Sequence, residues 1–251
     1  MFYGKVNRNG KEQDRFTPIS EEEALSNVPI ELNPKYHFPD IEYQVEMPTM
    51  LYPEGGFSKG VKAMVTLLKG NHLVSADFFD GLYNDDDIEK EAWRRITSYK
   101  DGDDLESIFH LIQTWGGSSG RGIYIFGGGF DWSNIREHYK KLVGDCLTTK
   151  DTSDESIEKL VQTAKEFNRS VRYLGISFIT KHMRFWLFRP LGNDAFPIYD
   201  SVLANEVMMQ KEVNDKHLFE YWKVMVAKAH QLGIGLMPLE RQIFQYSLGT
   251  R

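Results

Sequence analysis

The stretch that decides the fold runs from residue 172 to residue 205 and reads RYLGISFITKHMRFWLFRPLGNDAFPIYDSVLAN. Gly175 predicts a short turn, and the residues from Ser177 onward have the composition of a helix. Pro190 predicts a break, because proline lacks the backbone N–H that continues a helix. A second helix is expected to begin at Asp200, so the segment is interpreted as helix, loop, helix.

Lys181 is the candidate nucleophile of this segment. On the first helix, Lys181, Arg184, Phe185 and Phe188 are spaced i, i+3, i+4 and i+7, which places them on one face. A lysine flanked by aromatic side chains is partly desolvated, and desolvation favours the neutral amine that can act as a nucleophile. The alternative is a surface lysine whose stem covers apolar area.

Asp200 is the candidate carboxylate partner, at the expected start of the second helix. There it can accept backbone N–H bonds, and the helix dipole keeps it ionised. An aspartate before a helix is most often only an N-cap, so the residue alone does not establish a catalytic role. The combination with Lys181 favours one.

The pair resembles the catalytic pair of the helix-hairpin-helix DNA glycosylases, in particular the 8-oxoguanine branch. In that family a hairpin containing glycine leads into the helix that carries the catalytic lysine. A loop with a proline then delivers the catalytic aspartate nineteen residues later, and Asp200 follows Lys181 by nineteen residues. The resemblance covers about residues 100–250. It departs from the family at the hairpin, which keeps one glycine, and at Val202, where a polar residue is usual.

The resemblance implies a DNA glycosylase that flips out and excises a modified base, with Schiff-base and AP-lyase chemistry at the lysine. Its substrate would be oxidised guanine or a hypermodified phage base such as glucosylated hydroxymethylcytosine. A divergent bacterial member, in repair or in anti-phage defence, is the expected kind. The partner would be double-stranded DNA with a modified base.

The same resemblance suggests further site residues. Phe185 would contact the flipped base, Gln242 would read it and Tyr246 would stack on it, one turn later on a late helix. Trp115 is a further aromatic candidate for the pocket. The candidates for DNA contact are Arg172, Gly175, Ser177 and Arg184.

Charge is unevenly distributed along the chain. The formal net charge is −6, whereas residues 165–189 hold six basic residues and one acidic residue. A basic island in an acidic chain favours a local polyanion contact, although solvated helix arginines explain it equally well. Two other functions therefore stay open: a non-catalytic helical DNA-binding module, and a protein-interaction domain without enzymatic activity.

The predicted fold is mainly all-α, a helix-hairpin-helix glycosylase-like helical bundle. Residues 1–57 are expected to form an extended N-terminal arm with a short helix after Ser20, because the region contains six prolines without sustained periodicity. Residues 58–251 are expected to form the helical domain, as two lobes around a cleft. The glycine-dense residues 115–130 predict a short strand at Ile123–Phe126.

Several classes of protein are disfavoured by what the sequence lacks. The single cysteine, Cys146, excludes an internal disulfide and Cys-rich zinc or iron–sulfur sites. There is no H-E-x-x-H and no phosphate-loop motif. No metal and no cofactor are expected, apart from the structural monovalent cation that the resemblance suggests at the hairpin. No apolar run approaches about 18 residues, so no membrane contact is expected, and a cytoplasmic, nucleoid-associated monomer is the expectation.

Overall fold

The computed structural model describes residues 2–8, 11–19, 35–48, 56–127, 129–210 and 212–249, with side chains from residue 35 onward. Helices dominate, which confirms the prediction of a mainly all-α fold. The helices are α1 (Lys59–Gly70), α2 (Asp85–Ser98), α3 (Leu105–Trp115), α4 (Gly122–Ile125), α5 (Trp132–Leu147), α6 (Asp154–Ser170), α7 (Ile176–Leu191), α8 (Ser201–Met208), α9 (Leu218–Leu232) and α10 (Leu236–Gly249). Short 3-10 turns occupy Ser118–Arg121 and Gly192–Asp194.

Most helix starts follow from polar caps that are visible in the sequence. Ser58, Asn84, Asp104 and Ser153 each accept a hydrogen bond from a backbone N–H in the first turn of the helix that follows. Such a cap satisfies one of the N–H groups that a helix start leaves without a partner, and contributes about 1 kcal/mol. The helix bounds are therefore largely a local property of the chain.

Helix α7 is the central element. It packs against α2, α3, α5 and α6, and its residues Ile179, Met183 and Trp186 are fully buried. Pro190 lies inside the last turn of this helix, so the helix continues one residue past the proline at which the sequence predicts a break. The helix ends at Leu191, followed by Gly192 with a φ of 57°, a backbone conformation that glycine adopts at low cost.

A buried network of charges joins α2, α7 and α10. Arg184 on α7 is 1% exposed, and its Nε and Nη1 donate to Glu240 at 3.0 Å and Glu89 at 3.2 Å. Arg241 donates from Nη2 to both carboxylate oxygens of Glu89, at 2.8 and 2.9 Å. Two carboxylates and two guanidinium groups thus neutralise one another where the three helices meet.

The N-terminal region contributes a hairpin and a segment that packs on the helices. Strands β1 (Phe2–Arg8) and β2 (Lys11–Ile19) pair antiparallel, which the sequence analysis did not predict. Residues 35–48 are not regular but are fixed to α8 and α10. The backbone N–H of His37 donates to the carbonyl of Val207 at 2.9 Å. The short helix expected after Ser20 lies outside the described residues.

The short strand predicted at Ile123–Phe126 is wrong. Gly122–Ile125 form the single turn of α4, closed by a hydrogen bond from the N–H of Phe126 to the carbonyl of Gly122 at 3.1 Å. The inward side of this turn carries Tyr124, whose hydroxyl bonds to His110 at 2.9 Å. A run of four apolar residues fits either a strand or a helical turn, and here the buried tyrosine contact favours the turn.

Arg184→Met should lower the free energy of unfolding by about 3–5 kcal/mol, because it leaves the buried carboxylate of Glu240 without the guanidinium that donates to it. Urea denaturation monitored by circular dichroism measures this. Arg172→Met is the matched control, since Arg172 is exposed, and its effect should stay within about 0.5 kcal/mol. Equal stability of the two variants would contradict the structural role of Arg184.

Candidate active site

Lys181 and Asp200 line one cavity, which has a volume of about 130 Å³. It lies where α7, α8, α10 and the end of α3 meet. Its lining residues are Trp115, Gly116, Lys181, Arg184, Ile198, Asp200, Leu203, Glu240, Arg241 and Phe244. Apolar and ionisable side chains share this wall, which is the composition of a small-molecule or reaction site.

The Lys181 amine has an unusual environment for a lysine. Its Nζ lies 4.3 Å from the centroid of the Phe178 ring, and no carboxylate oxygen of the described residues is within 4.0 Å of it. Burial lowers the pKa of Lys181, while the negative charges of Asp200 and Glu240 oppose that shift without cancelling it. Burial therefore favours the neutral amine, which is the form that can act as a nucleophile.

Asp200 is the N-cap of α8. Its Oδ1 accepts hydrogen bonds from the backbone N–H groups of Val202 and Leu203, both at 3.0 Å. Because both bonds fall on Oδ1, the other oxygen, Oδ2, accepts none from the described residues. The helix start thus orients the carboxylate and leaves one oxygen for another partner.

A single hydrogen bond ties the neighbours of the pair together. The backbone N–H of Tyr199 donates to Thr180 Oγ1 at 3.0 Å, while the Thr180 hydroxyl donates to the carbonyl of Ser177 at 3.1 Å. Thr180 precedes Lys181, and Tyr199 precedes Asp200. This bond therefore fixes the distance between the backbones that carry the amine and the carboxylate.

The loop before Asp200 is also held from the other side. Residues 195–199 are buried. Trp222 Nε1 on α9 donates to the carbonyl of Pro197, and the Tyr221 hydroxyl donates to the carbonyl of Ile198, both at 2.9 Å. Asp200 consequently sits at the end of a rigid support, as a catalytic group requires.

Glu240 adds a second carboxylate to the cavity, which the sequence analysis missed. Burial raises the pKa of Glu240, whereas the positive charges of Arg184 and Arg241 lower it. Asp200 and Glu240 thus bring two carboxylates to the cavity wall, and Arg184 and Arg241 bring two guanidinium groups.

The predicted base-pocket residues divide into two groups. Trp115 lines the cavity, and Phe185 is fully buried behind it, with the two rings 5.1 Å apart. Gln242 and Tyr246 are not among the lining residues. The Gln242 amide is bonded to the backbone of Gln44, accepting from its N–H at 2.6 Å and donating to its carbonyl at 2.9 Å.

The residues of α10 that do line the cavity are Glu240, Arg241 and Phe244. Glu240 and Phe244 have the same i, i+4 spacing as Gln242 and Tyr246 but lie two positions earlier. Gln242 and Tyr246 therefore lie on the helix that forms this wall but on a different face of it. The amino-acid types do not distinguish the two faces, because polar and apolar residues alike are buried at every position from 236 to 243.

Of the four predicted DNA-contact residues, three are at least partly exposed and one is buried. Arg172 and Gly175 are exposed and Ser177 is partly exposed, at the start of α7, where Gly175 provides no side-chain cap for the first turn. Arg184 cannot contact a phosphate in this arrangement, because its guanidinium is buried between Glu89 and Glu240. The basic island at 165–189 is thus not one continuous charged surface.

Three further findings concern ligands, membranes and relatives. Among the described residues, no group of three or more His, Cys, Asp or Glu side chains could hold a metal ion. Within the same residues, none of the helices combines the length and the apolar character needed to cross a bilayer. No protein-family model, no curated protein and no solved structure matches the chain.

Thr180→Val should lower the free energy of unfolding by about 1–3 kcal/mol, because it leaves the buried N–H of Tyr199 without an acceptor at nearly unchanged side-chain volume. Thr180→Ser keeps the hydroxyl and is the matched control. Urea denaturation measures both. Equal stability of the valine and serine variants would show that the Thr180 bond does not hold the two backbones together.

The pKa of Lys181 should lie below the usual lysine value of about 10.4, and Asp200→Asn should lower it further. The pKa of Lys181 should fall in this variant because the negative charge of Asp200, which favours the ammonium form, is removed. Asparagine caps a helix as well as aspartate, so α8 should be preserved. An NMR titration with isotope-labelled lysine, assigned by Lys181→Gln, measures both values. A rise in the pKa on Asp200→Asn would contradict the electrostatic coupling.

Proposed function

We propose that the chain is a DNA glycosylase that flips out a modified base and excises it through lysine Schiff-base chemistry, with AP-lyase activity. The observation that carries the proposal is the cavity that Lys181 and Asp200 share. It contains an amine whose pKa is lowered and a carboxylate that caps the start of α8. The nineteen-residue spacing, the glycine turn before α7 and the proline in the loop support it from the sequence.

The first chemical step breaks the glycosidic bond. The target nucleotide is flipped into the cavity, at a cost of a few kcal/mol of unstacking and unpairing. As the bond to the base lengthens, positive charge develops on the sugar. The carboxylate of Asp200 stabilises that charge electrostatically.

Lys181 then forms the covalent intermediate. Its neutral amine donates an electron pair to C1′, and the base leaves with the electron pair of the glycosidic bond. The nitrogen of Lys181 loses a proton, which the departing base accepts. The nitrogen electron pair then forms the C1′=N bond of a protonated Schiff base as the C1′–O4′ bond breaks, and O4′ takes a proton from water. Loss of a proton from C2′ to water finally expels the 3′ phosphate by β-elimination.

The surface beside the cavity offers contacts to the DNA backbone. Arg172, Gly175 and Ser177 lie at the start of α7, the helix that carries Lys181. An exposed arginine and backbone N–H groups at a helix start are the groups that bind phosphates. The phosphates that flank the flipped nucleotide would be held here, and such binding weakens as salt rises.

Borohydride should trap the wild-type chain covalently on DNA that contains its target base, because hydride reduces the Schiff base to a stable amine. Lys181→Gln should abolish the adduct and lower base release by at least about 100-fold, since it removes the nucleophile. Denaturing gel electrophoresis and chromatography of the released base measure these. DNA panels should contain oxidised guanine, uracil, alkylated bases and glucosylated hydroxymethylcytosine.

Lys150→Gln is the matched control, since Lys150 is exposed and remote in sequence from the cavity residues. It should trap and excise like the wild-type chain. Base release by Lys181→Gln at the wild-type rate would refute the proposed nucleophile. Salt-dependent DNA binding without product from any member of the panel would favour a non-catalytic DNA-binding module.

A further inference from the structure

The side chain of Lys181 lies against the ring of Phe178, one turn earlier on α7. The Lys181 Nζ is over the face of that ring, 4.3 Å from its centroid. Side chains of a helix lean toward its N-terminus, so a lysine readily covers the residue three positions before it. The stem of a lysine is long and flexible. The Thr180 hydrogen bond therefore fixes where this side chain begins, while the ring supports its far end.

The ring of Phe178 is buried in a gap that two glycines leave open. Phe178 is 7% exposed. A Cβ atom added at Gly116 would lie 2.5 Å from Phe178 Cε1, and one added at Gly120 would lie 2.6 Å from the same atom. Carbon atoms without a bond between them pack at about 3.5–4.0 Å. Any larger residue at either position would therefore push the ring out of this gap, which we call the glycine slot.

The two glycines of the slot provide space rather than an unusual backbone conformation. Gly116 has a φ of −65° and a ψ of −11°, in the helical region that every residue can adopt. The φ of Gly120 is not positive either. The backbone would thus accept alanine at both positions, and the constraint that they share is the edge of the Phe178 ring.

The slot is backed by helix α1. The 3-10 turn Ser118–Arg121 carries Gly120 and packs against Gly60 of α1. A Cβ atom added at Gly60 would lie 3.1 Å from the backbone nitrogen of Ser118 and 3.3 Å from the Cα of Gly117. The backbones of the helix and the turn are therefore already in contact, and the turn has no room to retreat from the ring.

We infer that Phe178 is the positioning residue of the nucleophile: the glycine slot holds the edge of its ring, and the face of the ring supports the Lys181 amine at the cavity. This inference rests on the proposed function and adds to it a residue that touches the nucleophile without reacting. The charged groups that line the same cavity are Arg184, Asp200, Glu240 and Arg241. A substitution at Phe178 alters none of them.

Phe178→Leu tests the support that the ring gives. Leucine keeps the site apolar but lacks the negative ring face that attracts an ammonium group, so the pKa of Lys181 should fall. A lower pKa increases the fraction of neutral amine and by itself would speed base release. Loss of position should nevertheless slow single-turnover release at saturating protein by at least about tenfold, with DNA affinity within about twofold of wild type. The probe is the duplex of the base panel that the wild-type chain processes fastest.

Gly116→Ala and Gly120→Ala displace the ring without changing Phe178 or Lys181. Their side effects differ, because Gly116 lines the cavity, whereas a Cβ atom at Gly120 would also lie 2.8 Å from Gln113 Oε1. Each should slow single-turnover release by at least about tenfold, since small displacements of a reacting group are costly.

Gly144→Ala is the matched control for the two alanine variants. Gly144 is at an exposed position of α5, and a Cβ atom added there would meet nothing within 4 Å. This variant should release the base at the wild-type rate. Circular dichroism checks that each variant is folded. If one of the slot variants does not fold, the other and Phe178→Leu decide the inference.

The failures of the two proposals are distinguishable. A release rate in Phe178→Leu that stays at the wild-type value, or rises with the fraction of neutral amine, overturns the positioning role and leaves the glycosylase in place. Wild-type rates in both slot variants also overturn it. If the wild-type chain releases no base and forms no borohydride adduct with any duplex, the glycosylase proposal fails. The NMR titration of Lys181 then decides whether the ring supports the amine, since an unchanged pKa in Phe178→Leu contradicts that contact.

Discussion

The burial of Arg184 is the constraint on which the rest of the molecule depends. A guanidinium removed from water costs several kcal/mol unless its partners are placed well. Its partners are Glu89 on α2 and Glu240 on α10. The positions of three helices that are distant in sequence are thereby set by one side chain. Since Arg184 and Glu240 also line the cavity, the shape of the site and the stability of the bundle depend on the same contacts.

The relative position of Lys181 and Asp200 is set by hydrogen bonds of the backbone rather than by a contact between the two side chains. The Thr180–Tyr199 hydrogen bond joins their neighbours, and α9 holds the intervening loop. Neither ionisable group has to bind the other in order to be positioned. The amine can therefore stay unpaired and the carboxylate can keep one free oxygen, which is the state a reaction would require.

Local features of the sequence indicate the helical class and the start of the helix at Asp200, because caps, prolines and glycines act within a few residues. The side chain of Asp200 caps α8 as its position in the sequence predicts. Two features depended on tertiary packing and were not predictable. Charged residues are almost never buried unless paired, so nothing local indicated that Arg184 lies inside. The face that α10 turns to the cavity was equally hidden, because it is decided by helices far away in sequence.

The attachment of the N-terminal segment to α10 bears on how the molecule assembles. The bonds between Gln44 and Gln242 span 198 residues, and the Arg241 bond to Pro48 spans 193. Contacts of such long range form slowly, since the chain between them must be ordered first. During synthesis, residues 44–48 leave the ribosome long before α10 does. The cavity wall is therefore completed only after α10 has emerged, so a nascent chain has no finished site while the preceding helices are still being made.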